Sequence, residues 1–158
     1  MQGRTLAGKS AVGAPVAEQG PLPAVPSTAG AFERGFLAAA AFNIVGILVF
    51  TRGLTNTALF DTDPAVFSRQ GCVLILIWGL AYAAQSRTWR QAPLLSLVFA
   101  IEKACFAGWW ALWMSQHAGE LGALAERDPM AAAFYGAYGL GDAAFMGFFL
   151  WAYRAARG

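Results

Sequence analysis

The stretch PLLSLVFAIEKACFAGWWALWM, residues 93–114, decides the fold class, because it is long enough to cross a lipid bilayer as one helix. A transmembrane helix needs roughly 20 predominantly apolar residues in a row. Further apolar runs lie at about 35–51, 64–86 and 130–153, and they are continuous rather than alternating. The sequence therefore predicts an all-α membrane protein, with residues 35–158 forming an antiparallel bundle of four transmembrane helices.

The composition of the 158-residue chain agrees with this class, since 58% of its residues are hydrophobic and only 13% are charged. The formal net charge of +2 and the lack of a basic cluster argue against nucleic acid as a partner. Two cysteines, Cys72 and Cys105, lie far apart, and His117 is the one histidine. We therefore expect no metal site and no cofactor, and we predict the lipid bilayer as the main partner.

Residues 1–34 differ from the rest of the chain, because they are rich in Ala, Pro and Gly and contain almost no aromatic side chain. Such a segment cannot bury enough apolar surface to offset the entropy lost on ordering. No apolar run follows Arg4 or Lys9 closely, so the segment does not read as a signal peptide. We predict a disordered cytoplasmic tail.

The ends of the predicted spans carry helix-start signals. The pairs Asp63-Pro64 and Asp128-Pro129 each precede an apolar run. Aspartate suits the N-cap, where its carboxylate accepts a backbone N–H bond, and proline suits the first helical position. The connection at 87–92 is short, which predicts that the second and third spans form an antiparallel hairpin.

The distribution of Lys and Arg predicts the orientation. Basic residues near the ends of membrane helices accumulate on the cytoplasmic side. One side carries seven of them, Arg4, Lys9, Arg34, Arg87, Arg90, Arg154 and Arg157, and the opposite side carries three, Arg52, Arg69 and Arg127. We therefore predict a multi-pass protein of the inner membrane with both termini in the cytoplasm.

Polar side chains meet at one depth of the predicted bundle. Glu102 and Asp142 lie equally far from the outer ends of their spans, roughly 18 Å at a rise of about 1.5 Å per residue. Lys103 is next to Glu102, and Asn43 is at the centre of the first span. Charges at the middle of a bilayer are costly, so they usually face the interior of a bundle and pair with one another. The second span brings Trp78 and Tyr82 slightly nearer the cytoplasm.

The layer of Glu102, Lys103, Asp142 and Asn43 has three interpretations. In the first, the layer is a structural network, in which Lys103 neutralises one carboxylate and Asn43 satisfies the other. In the second, it is a site that handles protons or binds a ligand. In the third, it is a polar groove that docks another membrane protein. Two acids against one base leave a net charge of −1, so either one carboxyl group takes up a proton or an outside cation such as Arg69 reaches in.

The fourth span carries two patterned faces. One face combines Asp142 with aromatic rings at helical spacing, namely Tyr135, Tyr138, Phe145 and Phe149. This face forms either ordinary core packing or an aromatic-walled pocket suited to a cationic amine or to a sterol-like or quinone-like molecule. Another face has small side chains, namely Gly139, Ala143 and Gly147, which serve either packing within the bundle or a homodimer contact.

No motif of a known reaction is present: the chain lacks GxGxxG, a Walker lysine loop, HExxH, GxSxG and CxxC. We therefore predict a non-enzymatic small-molecule-binding or accessory membrane protein, built round the polar layer. The alternatives are an isomerase-like intramembrane enzyme on a lipophilic substrate, with Glu102 or Asp142 as the acid, and a structural subunit of a larger membrane complex. The candidate site residues are Glu102, Lys103, Asp142, Asn43, Tyr138, Tyr135 and Trp78, with no catalytic role assigned.

Overall fold

The computed structural model describes residues 27–158, and in that range the secondary structure is helical, with no strand. The helices are α1 (Ser27–Phe50), α2 (Thr57–Thr62), α3 (Pro64–Phe67), α4 (Arg69–Gln85), α5 (Pro93–His117), α6 (Leu121–Arg127) and α7 (Pro129–Ala155), with a 3₁₀ turn at Ala118–Glu120. The predicted all-α class is confirmed. The two predicted outer connections hold the short helices α2 and α6.

Helix α1 begins at Ser27, earlier than the predicted boundary between the tail and the first span. Phe32 accounts for the difference, because its buried ring packs on Trp89 and Trp151 with centroids 4.3 and 4.4 Å apart. Glu33 adds an ion pair, accepting a bond of 3.1 Å from Arg87. Burial of Phe32 offsets the entropy of ordering the first turns of the helix. The rest of the predicted tail, 1–26, lies outside the described residues.

The second predicted span is broken at Ser68, which separates α3 from α4. The Ser68 hydroxyl accepts a bond of 3.2 Å from the backbone N–H of Gly71, which is the geometry of an N-cap. A Cβ at Gly71 would lie 2.1 Å from the carbonyl oxygen of Val66, so only glycine allows this close approach. A sequence that is apolar throughout does not reveal this break, because serine is also tolerated inside helices.

The two Asp-Pro helix starts differ. The Asp128 carboxylate caps α7 and accepts bonds of 3.0 Å from the backbone N–H groups of Met130 and Ala131. The bond from Ala131, supported by the guanidinium of Arg52, holds the pKa of Asp128 below its usual range. Asp63 makes no cap bond and instead accepts a bond of 2.9 Å from the indole nitrogen of Trp109. The prediction of an aspartate cap is therefore right for α7 and wrong for α3.

The long helices pack in two pairs, α1 against α4 and α5 against α7. Glycine allows each close approach: a Cβ at Gly79 would lie 2.7 Å from Ile44, and one at Gly139 would lie 2.2 Å from the ring of Trp110. Consecutive helices α4 and α5 run back along each other but are not a closely packed pair. They meet through aromatic side chains, with the rings of Tyr82 and Phe99 4.7 Å apart. The predicted hairpin of the second and third spans therefore lacks tight backbone packing, since large rings fill the space.

Two aromatic cores lie at opposite ends of the helices. The core near α2, α3 and α6 contains Ile47, Leu59, Phe60, Phe67, Ile75, Trp113, Leu124, Phe134, Tyr135 and Tyr138. The core at the other end contains Phe32, Phe36, Tyr82, Trp89, Phe99 and Phe149. The polar residues of the predicted layer lie between these two cores and are themselves buried.

The end of α1 is tied to the start of α7. Gly53 has φ +68° and donates a bond of 2.8 Å to the carbonyl of Leu48, which closes the last turn of α1. Arg52 and Leu54 also have positive φ, at 51° and 67°, a region that non-glycine residues rarely adopt. Arg52 then pairs with Asp128 at 3.0 Å. This ion pair links the end of α1 to the start of α7, two of the helices that line the candidate site.

The outer faces of the long helices are apolar. Within the described residues, two helical ranges have the length and composition to cross a membrane, Gly30–Phe50 and Pro93–Arg127. Most residues in the apolar part of each range are not buried, so these ranges are not simply core helices of the fold. Large aliphatic side chains also face outward elsewhere, with Leu74 59%, Leu80 61% and Leu140 61% exposed.

Candidate functional site

Lys103 is the centre of the polar layer. Its ammonium group donates a bond of 2.5 Å to Oδ1 of Asp142 and a bond of 2.7 Å to Oδ1 of Asn43. The Asn43 amide in turn donates a hydrogen bond of 3.2 Å to the carbonyl oxygen of Ile75. Lys103, Asn43 and Asp142 are all buried. Helices α1, α5 and α7 therefore meet through one hydrogen-bonded ion pair, and the amide ties α4 to it.

Glu102 lies beside this pair but is not hydrogen-bonded to it. Its Oε1 atom is 4.0 Å from the Lys103 ammonium, beyond hydrogen-bonding distance, and has no hydrogen-bond partner although it is buried. The other oxygen, Oε2, accepts a short hydrogen bond from the hydroxyl of Tyr82. Since Lys103 is already paired with Asp142, the layer keeps one carboxyl group without a cationic partner of its own.

Aromatic rings surround the ammonium group of Lys103. Its Nζ atom lies 5.5 Å from the ring centroid of Phe42, 5.5 Å from that of Tyr82 and 6.0 Å from that of Phe106. Ring faces attract cations, most strongly where water is excluded. The rings therefore help to stabilise a charged lysine that has little contact with solvent.

A cavity of about 240 Å³ adjoins the layer, with Glu102, Lys103, Asn43 and Asp142 on its wall. The rest of the wall is apolar or aromatic and includes Phe42, Phe50, Phe67, Phe106, Phe134 and Tyr138. The hydroxyl of Tyr138 is buried without a hydrogen-bond partner, like Oε1 of Glu102. An apolar cavity with a few convergent polar groups is the usual form of a small-molecule site.

Small residues line the side of the cavity between α1 and α7. Ala133 and Ala137 of α7 are on the cavity wall and are also exposed on the molecular surface. Opposite them, a Cβ added to Gly46 of α1 would meet no atom within 4 Å. The cavity therefore reaches the surface along this side, on the apolar face of the helices.

The remaining predicted site residues lie apart from the layer. Tyr135 belongs to the core near α2, where its hydroxyl donates a bond of 2.9 Å to the carbonyl oxygen of Leu59. Trp78 is half-buried against Phe99, at a centroid distance of 6.1 Å, and does not line the cavity. Arg69 lies over the ring of Phe60 and does not reach the layer.

The structure adds residues that were not among the predicted candidates. Tyr82, rather than Trp78, is the residue of α4 that reaches the layer. The sequence carries a signal for it, because a buried tyrosine hydroxyl needs a partner. The sequence carries no such signal for Phe42 and Phe106. A phenylalanine that faces a cavity cannot be told from one that packs in a core by its residue type.

Among residues 27–158, no group of three His, Cys, Asp or Glu side chains is placed to hold a metal ion. Both cysteines of the chain are free thiols, Cys72 buried and Cys105 exposed. Comparisons of the chain with protein-family models, with curated proteins and with solved structures find no match.

Proposed function

We propose that the chain is a multi-pass membrane protein whose four spans are α1, α3 with α4, α5 and α7. The support is the exposed apolar surface on all four, which in water would cost about 25 cal/mol for each Å² left uncovered. Soluble monomers rarely expose contiguous apolar patches of more than a few hundred Å². Lipid chains cover such a surface without any partner protein.

The proposed orientation has both termini in the cytoplasm and the protein in an inner membrane. The basic residues Arg87, Arg90 and Arg154 lie at the end of the helices opposite α2 and α6. The end with α2 and α6 is richer in acid and carries Asp61, Asp63, Glu120, Glu126 and Asp128. This distribution is what the positive-inside rule expects of a cytoplasmic and an outer face.

The proposed function is to bind a small lipophilic molecule in the cavity between the two helix pairs. The observation that carries the proposal is the pair of buried oxygens without partners, Glu102 Oε1 and Tyr138 Oη, on residues that line one apolar cavity. A buried polar atom without a hydrogen bond costs about 1–3 kcal/mol. A ligand that supplies those bonds recovers this cost and gains the burial of its apolar part.

The proposed entry route runs from the bilayer, between Gly46 on α1 and Ala133 and Ala137 on α7. This route suits a ligand that partitions into lipid before it binds.

Binding is better supported than catalysis. An isomerase-like reaction requires an acid and a base that both face the substrate. Lys103 and Asp142 are bound to each other at 2.5 Å, and the buried atoms without a hydrogen bond on the cavity residues are Glu102 Oε1 and Tyr138 Oη. A tyrosine hydroxyl is a weak acid and a poor base near neutral pH.

The proposal is tested with 2-phenylethanol as a neutral probe, by saturation-transfer NMR on the full chain in a maltoside detergent, with empty micelles as the blank. We expect saturable binding to the wild type. Ala137→Phe should abolish it by filling the mouth of the cavity. Ala143→Phe, the same change at an exposed position of α7 that does not line the cavity, should bind like the wild type. Equal signals from all three proteins would contradict the proposal.

A further inference from the structure

The buried charges of the layer do not balance. Glu102, Lys103 and Asp142 are the charged residues that line the cavity, which gives two acids and one base. Lys103 and Asp142 neutralise each other at 2.5 Å. Within the described part of the chain, the nearest cation to Glu102 is the same Lys103, at 4.0 Å. Glu102 is therefore the carboxyl group of the layer that has no cationic partner of its own.

The hydrogen bonds around Glu102 point to the same deficiency. Oε2 is satisfied by the Tyr82 hydroxyl, whereas Oε1 has no donor. In its ionised form this carboxyl group only accepts hydrogen bonds, so the group missing from Oε1 is then a donor. A donor that also carries positive charge forms a bond roughly twice as strong as a neutral one. A ligand ammonium group would meet both requirements at once.

The walls of the cavity suit the rest of such a ligand. The rings of Phe42 and Phe106 already face one ammonium group, that of Lys103, at 5.5 and 6.0 Å. The other rings on the wall, Phe50, Phe67 and Phe134, offer further faces and edges to a cation or an apolar body. An apolar cavity of about 150 Å³ holds a benzene molecule, so 240 Å³ accommodates about ten non-hydrogen atoms.

Building on the proposed function, we infer that the ligand is a lipophilic amine, bound as its ammonium form, with its nitrogen at Glu102 and its apolar body among the phenylalanine rings. The ion pair of Lys103 and Asp142 holds the helices in place and does not bind the ligand.

The test compares 2-phenylethylamine with 2-phenylethanol, which match in shape and differ in charge, by the same NMR titration at pH 7. The wild type should bind the amine about tenfold tighter than the alcohol, which corresponds to about 1.4 kcal/mol. In Glu102→Gln, which keeps the shape and removes the charge, this ratio should fall to about one, whatever the absolute affinity of the variant for the alcohol.

Two outcomes would overturn the inference: equal affinities of the wild type for amine and alcohol, or an amine preference that survives in Glu102→Gln. Either leaves the proposed function intact, because the wild type still binds the alcohol. If the wild type binds neither probe, the proposed function itself is refuted. If Glu102→Gln does not give a helical far-ultraviolet circular dichroism spectrum, the comparison of the two probes on the wild type decides alone.

Discussion

Replacing Lys103 by methionine removes the base at the centre of the layer while keeping a side chain of similar length. Asp142 then loses its ion pair of 2.5 Å and Asn43 loses a bond of 2.7 Å. Removing one partner of a buried ion pair typically costs about 3–5 kcal/mol. A carboxyl group can escape the orphaned charge by taking up a proton, which costs a free aspartate about 4 kcal/mol at pH 7. We therefore expect Lys103→Met to lower the free energy of unfolding by about 3–4 kcal/mol.

The assay is reversible unfolding in mixed micelles with increasing dodecyl sulfate, followed by the far-ultraviolet circular dichroism of the helices. Arg87→Met is the matched control, because it removes a base from an exposed ion pair with Glu33 at 3.1 Å. Exposed pairs contribute about 0–1 kcal/mol, so this control should hardly change stability.

The double variant Lys103→Met with Asp142→Leu separates the orphaned charge from the lost packing. Removing both partners of a buried pair is often close to neutral, since no uncompensated group remains. We expect the double variant to be more stable than Lys103→Met alone. A Lys103→Met protein as stable as Arg87→Met would contradict this expectation. So would a double variant in which Asp142→Leu lowers the free energy of unfolding further.

Three further predictions concern the ends, the packing and the orientation of the helices. The pKa of Asp128 is lowered in the folded state, so its contribution to stability is fully present above about pH 4. This contribution is lost as the pH falls through the pKa of Asp128 in the folded state. Asp128→Asn should lack this acid-dependent loss of stability in unfolding titrations between pH 5 and 3. Gly139→Ala should cost about 1–3 kcal/mol, because its Cβ would collide with an indole ring, whereas Gly147→Ala, with open space around it, should be neutral or slightly stabilising in the same assay. In a cysteine-free background, a membrane-impermeant maleimide applied to intact cells should label Glu126→Cys and leave Arg90→Cys unlabelled; the reverse pattern would contradict the proposed orientation.

The depth of the polar residues was accessible to sequence reasoning, whereas their partners were not. The helix rise alone places Glu102 and Asp142 at one level, and the structure brings Lys103 and Asn43 to the same level. Which carboxylate Lys103 pairs with depends on the rotation of α5 about its axis. Neither periodicity nor span length fixes that rotation, because nearly all sides of α5 are apolar.

Sharing a helix face was a weaker guide than depth to which residues lie together in the site. Tyr135 and Asp142 share a face of α7, yet they lie two turns apart, and Tyr135 bonds to Leu59 near the helix end. The break at Ser68 escaped prediction because it depends on the approach of the Val66 carbonyl to Gly71, a contact that only the folded chain shows. Helix existence follows from apolar length, whereas breaks and cavities follow from packing.

The claim that this protein holds a small molecule beside Glu102 is tested most directly by identifying what it carries. Wild type, Ala137→Phe and Ala143→Phe would each be extracted from membranes with a styrene–maleic acid copolymer, purified, and denatured, and the released molecules identified by mass spectrometry. We predict a lipophilic amine of about ten non-hydrogen atoms, near one per chain, from wild type and Ala143→Phe and not from Ala137→Phe. Identical extracts from all three proteins, containing only bulk lipid, would contradict the account.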